Sequence, residues 1–424
     1  MNTLKRICVV GLGYIGLPTA CYLAKAGFKV IGVENNKEKI RILKEGKTPF
    51  EEPGLQTLLS KGFKNFEFSI TPKPADIFII SVPTPITKTQ KPNLSYIKRA
   101  TKSIAKVIND NSLVIIESTI TPGCSEKIIL PILKKEHPDY RIFLAHAPER
   151  AIPGRTLTEM VENDRIIGGI DKDSAELAKD LYSIFVKGKI HLTDTTTAET
   201  VKLLENTYRD INIAFANEIA KLCDKISVNV WEAIKIANLH PRVNIHLPGP
   251  GVGGHCISVD PWFLMRKDGI GNEMIKLSRM INDSMPNYII KCVSKMLKDI
   301  KNPTITILGA AYKANVDDWR ETPALKIIEL AQNKKWKVKV HDPLLKDFPH
   351  ETEKDFKKAT QDSDCLLILA DHSFYQTIKP LDIKNMKNKN VFDSRNSIDE
   401  MRWKEADFTV KILGKQKQKT KNEN

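Results

Sequence analysis

The 424-residue sequence holds seven cysteines, and no two of them are spaced as a CxxC pair. Odd in number and scattered at positions 8, 21, 124, 223, 256, 292 and 365, they exclude a disulfide framework and a zinc site. No metal is therefore expected, and a reducing cytoplasm fits. Any run near the ~20 consecutive apolar residues that span a bilayer is also missing, which argues against membrane insertion. Lys5-Arg6 and the apolar stretch ending at Cys21 imitate a leader with a lipoprotein-type cysteine, but glycines at 11, 13 and 16 and the polar residues resuming at Lys25 do not suit one. No short-period repeat, helix-turn-helix or aromatic RNA-binding signature is visible, so a nucleic-acid partner is not expected despite the net charge of +15. Five Lys and one Glu fall among Lys411–Asn424, so +4 belongs to a stretch expected to be a disordered basic tail, and +11 is spread over the body.

What is present is a soluble globular composition, 41% hydrophobic, enough to give each of two to four domains a core. Arg6–Val10, Lys29–Val33, Ile77–Val82, Leu113–Glu117 and Ile142–Ala145 read as buried strands alternating with amphipathic stretches, which implies a parallel α/β sheet over residues 1–195. From Thr196 to Lys225 one long helical run follows, with Thr or Asp residues able to cap its start, and Val230–Ala237 continues as helix. His240 to Pro261 has too many prolines and glycines for regular structure, and a loop of that length is usually functional. A helical stretch over Gly271–Ile300 leads to a second α/β pattern at Thr304–Leu308, Lys337–His341, Cys365–Leu369 and Val391–Phe392. The expected architecture is two Rossmann-like α/β domains, 1–195 and 301–410, joined by a long central helix and a helical middle domain, 196–300, with a tail from 411 to 424.

Three passages carry chemistry. The first strand runs into Gly11-Leu12-Gly13-Tyr14-Ile15-Gly16, a helical stretch follows, and the second strand ends at Glu34. Gly11 permits a tight turn, Gly13 lets backbone N–H groups approach a pyrophosphate, Gly16 allows close helix packing, and Glu34 accepts from ribose hydroxyls while repelling a 2′-phosphate. That favours NAD over NADP. Thr84 and Thr119 follow strands of the same sheet, where they face a cofactor or simply serve a turn or a cap. On the central helix Lys202, Asn206 and Arg209 share one face, placed either to polarise an oxyanion or as an ordinary polar stripe, with Ile213, Phe215 and Ile219 available for packing. The loop Pro248–Cys256 offers four glycines and two prolines ahead of one cysteine, which makes Cys256 a candidate nucleophile. Asp260 either handles a proton or caps the helix starting at Pro261.

With the GLGYIG unit, the Lys202/Asn206 helix and PGPGVGGHC in this order, the chain resembles the UDP-glucose/GDP-mannose dehydrogenase family from Ile7 to about Ile398. TAETVKLLENTYRDINIAFANE, ANLHPRVNI, PGPGVGGHCISVDPWF and AAYKANVDDWRETPA look most like its branch acting on UDP-N-acetyl-D-mannosamine. The resemblance implies oxidation of the C6 alcohol of a UDP-sugar to a carboxylate with two NAD+ and one water, by a cytoplasmic homodimer serving polysaccharide biosynthesis. It implies that Cys256 captures the aldehyde and carries a thioester, that Lys202 and Asn206 stabilise the oxyanion, and that Asp260 and Glu149 serve thioester hydrolysis. Cofactor contacts would come from Gly11, Gly13, Tyr14, Ile15, Gly16, Glu34, Thr84, Thr119 and Arg320. Substrate contacts would come from Arg150, Ala151, Lys202, Asn206, Arg209, His240, Arg242, Gly253 and Lys313, with Arg395 serving a neighbouring site.

Two departures refine this. Val259 stands where the UDP-glucose branch carries Lys, and Ala310-Ala311 replace any GxGxxG in the second α/β pattern, so that layer is not a second cofactor site of the usual kind. The competing readings are the same chemistry on UDP-N-acetylglucosamine or UDP-glucose, a single-step hydroxyacid dehydrogenase, which has no use for the Cys256 loop, and a sugar epimerase, suggested only by the YxxxK spacing of Tyr375 and Lys379.

Overall fold

The computed structural model describes residues 5–415 apart from Lys88, Lys267 and Lys384. The chain forms two compact units, Met1–Glu205 with Trp262–Leu264, and Asn206–Pro261 with Met265–Asn424.

The first unit is built on β1 (Arg6–Val10), β2 (Lys29–Val33), β3 (Phe66–Ser69), β4 (Ile77–Ile80), β5 (Leu113–Ile116), β6 (Phe143–His146), β7 (Arg165–Gly169) and β8 (Ile190–Asp194), in the order β3-β2-β1-β4-β5-β6-β7-β8. Strand periodicity explains its layers. Ile7 and Val9 of β1 join a core with Leu17, Ala20 and Leu23 of α1 (Gly16–Lys25), whereas Cys8 and Val10 point into the opposite core with Phe78, Ile97 and Ile104. Both faces are covered, which is why these strands read as continuous apolar runs.

The five strands expected from the sequence, β1, β2, β4, β5 and β6, pair parallel, and β7, which the sequence pattern does not show, adds antiparallel to β6. Three strands in all escape the sequence pattern. β3 and β8 are edge strands without a fully buried residue. In β7 the apolar run is broken by Gly168 and Gly169, where a Cβ would lie 2.2 Å from the Asp194 carbonyl and 2.3 Å from that of Asp171.

The central helix spans Thr195–Ile226, and its start is capped by Asp194, which accepts from the Thr197 N–H at 2.8 Å and from its hydroxyl at 2.6 Å. From Asn206 onward it belongs to the second unit, whose sheet is β9 (Thr304–Leu308), β10 (Lys337–His341), β11 (Cys365–Ile368), β12 (Asn390–Asp393) and β13 (Thr409–Ile412), all parallel, in the order β10-β9-β11-β12-β13. Ala216, Ala220, Trp231, Met285, Ile289 and Val293 share one hydrophobic core with Ile305 and Ile307 of β9, so the helical middle and the second α/β layer pack together. Phe215, expected to pack, is 49% exposed, because Ala216 and Ala220 turn the inward face of the helix elsewhere.

The stretch from Lys411, expected to be tail, begins as core. Ile412 and Leu413 are buried, Lys411 pairs with Asp224 at 2.9 Å, and the Trp231 indole donates to the Leu413 carbonyl at 2.8 Å. Two apolar residues set among lysines at the end of a strand suffice to anchor it. Residues 416–424 of that stretch lie outside the described residues. Among the described residues no helix is long and apolar enough to cross a membrane.

Candidate active site

In the first unit the glycine loop leaves β1 at its carboxyl end. Gly11 adopts φ +97°, and a Cβ there would strike the Ser81 carbonyl at 2.4 Å; one at Gly16 would lie 2.0 Å from the Gly11 carbonyl. A Cβ at Gly13 would meet nothing within 4 Å. Two glycines thus serve packing, and the third faces space that a ligand can enter. The N-cap of α1, Ile15, makes no side-chain cap bond, which suits a helix end meant for a phosphate. Glu34 closes β2, its carboxylate accepting from Leu12 N–H at 3.4 Å and from Asn36 N–H at 3.0 Å. These features fit a dinucleotide that lacks a 2′-phosphate. Tyr14 is exposed and its ring lies 4.3 Å from that of Phe50.

The loops carrying Thr84 and Thr119 are stitched together by Ser118, whose hydroxyl accepts from Val82 N–H at 2.9 Å and donates to the Val82 carbonyl at 2.8 Å. Glu199, one turn before Lys202, anchors the Thr119 loop by accepting from the N–H groups of Gly123 and, at 2.8 Å, Ser125. Glu149 is buried with both oxygens engaged, one by the N–H groups of Arg150 (2.7 Å) and Ala151 (2.9 Å), the other by Arg165. The Arg165 guanidinium stacks 4.4 Å over the Tyr182 ring, and Tyr182 donates to Glu117 at 2.7 Å. Arg150 is paired with Glu205 at 2.7 Å. Lys202 is half-buried on the central helix.

In the second unit Cys256 is exposed, and its carbonyl accepts from Val259 N–H at 3.1 Å and Asp260 N–H at 2.8 Å. Asp260 opens the short helix Asp260–Leu264, and its buried carboxylate accepts from the Asn206 amide at 2.6 Å, so Cys256, Asp260 and Asn206 come together. The preceding glycines are dictated by neighbours. A Cβ at Gly253 would lie 2.7 Å from the Glu321 carbonyl, and one at Gly254 would lie 2.8 Å from the Tyr312 ring; Gly254 N–H also donates to the Arg320 carbonyl at 2.9 Å. Asn217 accepts from Gly249 N–H at 2.8 Å and donates to Asn282 at 2.9 Å. Asn282 in turn donates to Asp210, itself paired with Arg279.

Arg395 reaches the same loop, donating to the Pro248 carbonyl at 3.3 Å and pairing with Asp371 at 3.1 Å. Arg320 is exposed and bidentate to Asp318, at 2.9 and 2.6 Å. Arg209, His240, Arg242 and Lys313 are exposed, with Arg242 N–H donating to His240 at 3.3 Å. Tyr375 is buried and donates to the His341 carbonyl at 2.8 Å, which removes the basis for an epimerase motif.

The anchoring contacts of Ser118, Glu199, Arg165, Asn217 and Asn282 were not legible in the sequence, since each is made to a partner distant along the chain. Glycine spacing and helix periodicity single out Cys256, Asp260 and Asn206 as candidates in the sequence, and the structure brings the three together.

Three family models match the chain in order: the NAD binding domain of the UDP-glucose/GDP-mannose dehydrogenase family over residues 5–186, its central domain over 196–284 and its UDP binding domain over 306–400. The chain belongs to the UDP-glucose/GDP-mannose dehydrogenase family. As a member it is an NAD-dependent dehydrogenase with a UDP binding domain. It is similar to the UDP-N-acetyl-D-mannosamine dehydrogenase of Methanococcus vannielii, with 48% identity covering 97% of both chains. The solved UDP-D-ManNAc dehydrogenase of Pyrococcus horikoshii is 40% identical with a TM-score of 0.91, covering 96% of this chain and 99% of that one. A UDP-N-acetyl-mannosamine dehydrogenase of Staphylococcus aureus gives 40% and 0.89 over 97% and 99%.

Proposed function

We propose that the protein oxidises UDP-N-acetyl-D-mannosamine at C6 to the uronate. Its parts would be 1–195 for NAD, 196–300 for the nucleophile and dimer contacts, and 301–410 for the UDP-sugar. The observation that carries the reading is Cys256, exposed at the end of a glycine-built loop beside the buried Asn206–Asp260 pair. Bound NAD+ supplies the acceptor for each hydride lost from C6, and Gly13, the N-terminus of α1 and Glu34 hold it.

The chain's own groups do the rest. Lys202 takes part in removing the hydroxyl proton as the alcohol becomes aldehyde. The Cys256 thiolate then adds to the aldehyde carbon, a C–S bond forms and the oxygen is protonated, giving a thiohemiacetal. Loss of the second hydride and that proton leaves a thioester. Lys202 and Asn206 stabilise the oxyanion at each tetrahedral stage. Water adds to the thioester, the C–S bond breaks, and Asp260 assists its deprotonation. Glu149 supports hydrolysis by shaping the loop that its carboxylate ties together. Arg150, Ala151, Arg209, His240, Arg242, Gly253 and Lys313 contact the substrate, and Thr84, Thr119 and Arg320 the cofactor. Arg395, whose guanidinium donates to the Pro248 carbonyl of its own chain, would serve the substrate of a neighbouring site. Seven free thiols support a cytoplasmic site, and the exposed apolar face of the central helix supports a homodimer.

Two NADH per UDP-N-acetylmannosamine consumed is the expected stoichiometry, and one NADH with free aldehyde released overturns the mechanism. Cys256→Ala should abolish acid formation with NAD+ binding intact. Parallel assays with UDP-N-acetylglucosamine and UDP-glucose test the sugar, and a higher kcat/KM for either one displaces it.

A further inference from the structure

The second sheet repeats the opening turn of the first with different side chains. Gly309 follows β9 at φ +81° and donates to the His341 carbonyl at 2.9 Å, as Gly11 follows β1 at φ +97° and donates to Val33 at 2.8 Å. Ala310 and Ala311 therefore occupy the places of Leu12 and Gly13, and Asp342, the residue after β10, occupies that of Glu34. In the first unit the acid touches the loop weakly, at 3.4 Å to Leu12 N–H. In the second, the shorter side chain is drawn inside. One Asp342 oxygen accepts from Ala310 N–H at 2.8 Å, Ala311 N–H at 3.0 Å and His372 Nε2 at 3.1 Å, and the other accepts from Leu344 N–H at 2.9 Å and Leu345 N–H at 3.1 Å.

The backbone donors that would face a pyrophosphate are thus already satisfied by the protein's own carboxylate, which gives a physical reason why this layer is not a second dinucleotide site. Burial alone would raise the Asp342 carboxyl, but the bonds from His372 and the backbone hold it well below the usual carboxylate range.

His372 extends the grip. Its Nδ1 accepts from Asn315 N–H at 2.9 Å, which assigns the proton to Nε2, facing Asp342. Asn315, at φ +59°, is held further by Ser373, accepting from its N–H at 3.0 Å and donating to its hydroxyl at 2.8 Å. Asp342 and His372 are 0% and 1% exposed. The loop is therefore clamped at Ala310-Ala311 and at Asn315, and Lys313 projects from the exposed arc between the clamps.

We propose that Asp342 and His372 are positioning residues that hold the Ala310–Asn315 loop, and with it Lys313, in the conformation that receives the nucleotide of the substrate. This rests on the reading of Lys313 as a UDP-sugar contact.

UDP binding to the full-length protein, measured by calorimetry with NAD+ binding as the internal control, tests both. His372→Ala should raise the UDP Kd about tenfold or more and leave the NAD+ Kd unchanged. His372→Gln, whose amide can accept from Asn315 and donate to Asp342, should restore UDP binding to within about threefold. Lys313→Ala should weaken UDP binding by itself, and Lys313→Ala/His372→Ala should be no weaker than Lys313→Ala. Normal UDP binding by His372→Ala, equal loss of UDP and NAD+ binding, failure of the Gln rescue or additivity in the double variant each overturns the positioning role. Normal UDP binding by Lys313→Ala overturns the Lys313 reading, and with it the proposal.

Discussion

Glu117 stands immediately after β5, buried, and both the Tyr182 hydroxyl (2.7 Å) and the Thr19 hydroxyl (3.0 Å) donate to the same one of its oxygens. Burial pushes its carboxyl up to about 7, against the opposing pull of Arg165. In the unfolded chain the carboxyl ionises near 4.5, so between those values folding keeps a proton that unfolding releases. Its stabilising contribution is complete below the unfolded value and is lost as pH rises through about 7. At 1.4 kcal/mol per unit this amounts to roughly 3 kcal/mol across the window. Glu117→Gln keeps an oxygen for Tyr182 and Thr19 and cannot ionise. Its melting temperature should fall less steeply than that of the native chain between about pH 5 and pH 8, with the variant the more stable at the upper end. Parallel curves from calorimetric melts would sink the assignment.

At the scale of elements, the Pro248–Cys256 loop shows how a segment without regular structure is made rigid. Asn217 of the central helix holds Gly249, Asn282 orients Asn217, and the second α/β layer presses Tyr312 and Glu321 against Gly254 and Gly253. Removing Asn217 leaves the buried Gly249 N–H without this acceptor, at a cost of about 1–3 kcal/mol. Asn217→Ala should therefore lower kcat by about tenfold or more and change the rate at which iodoacetamide labels Cys256, followed by peptide mass spectrometry, while NAD+ affinity holds. Unchanged labelling and turnover would show that the loop keeps its shape without that anchor.

The same loop marks what the sequence discloses. Its glycines were legible, as were the buried central strands β1, β2, β4 and β5, because a local pattern of apolar residues or breakers encodes them. Asn217 and Asn282 were not, since an amide becomes an anchor only through a partner 32 or 65 residues away. β7 was hidden by glycines whose reason is a neighbouring carbonyl, and β13 by the lysines around Ile412 and Leu413.

At the scale of the whole molecule, several of the placed cations are neutralised by a neighbour and carry none of the net charge of +15. Arg150, Arg320 and Arg395 are matched by Glu205, Asp318 and Asp371, and Lys411 by Asp224. What stays conspicuous on the surface is apolar. Tyr208, Phe215 and Leu222 follow one another at seven-residue intervals on the central helix and are 58%, 49% and 47% exposed. Seven-residue spacing gathers them into a narrow stripe along one helix face, the geometry that suits packing against another helix. In the homodimer proposed above, a second copy of this chain would offer the same stripe in return, as a twofold interface requires. Charge on the stripe should then separate the copies, since a Lys buried between apolar faces has no partner. Phe215→Lys/Leu222→Lys should sediment as a monomer at concentrations where the native chain is a dimer, with its melting temperature becoming independent of concentration. A native chain that sediments as a monomer, or a variant that remains a dimer, would remove this face from the interface.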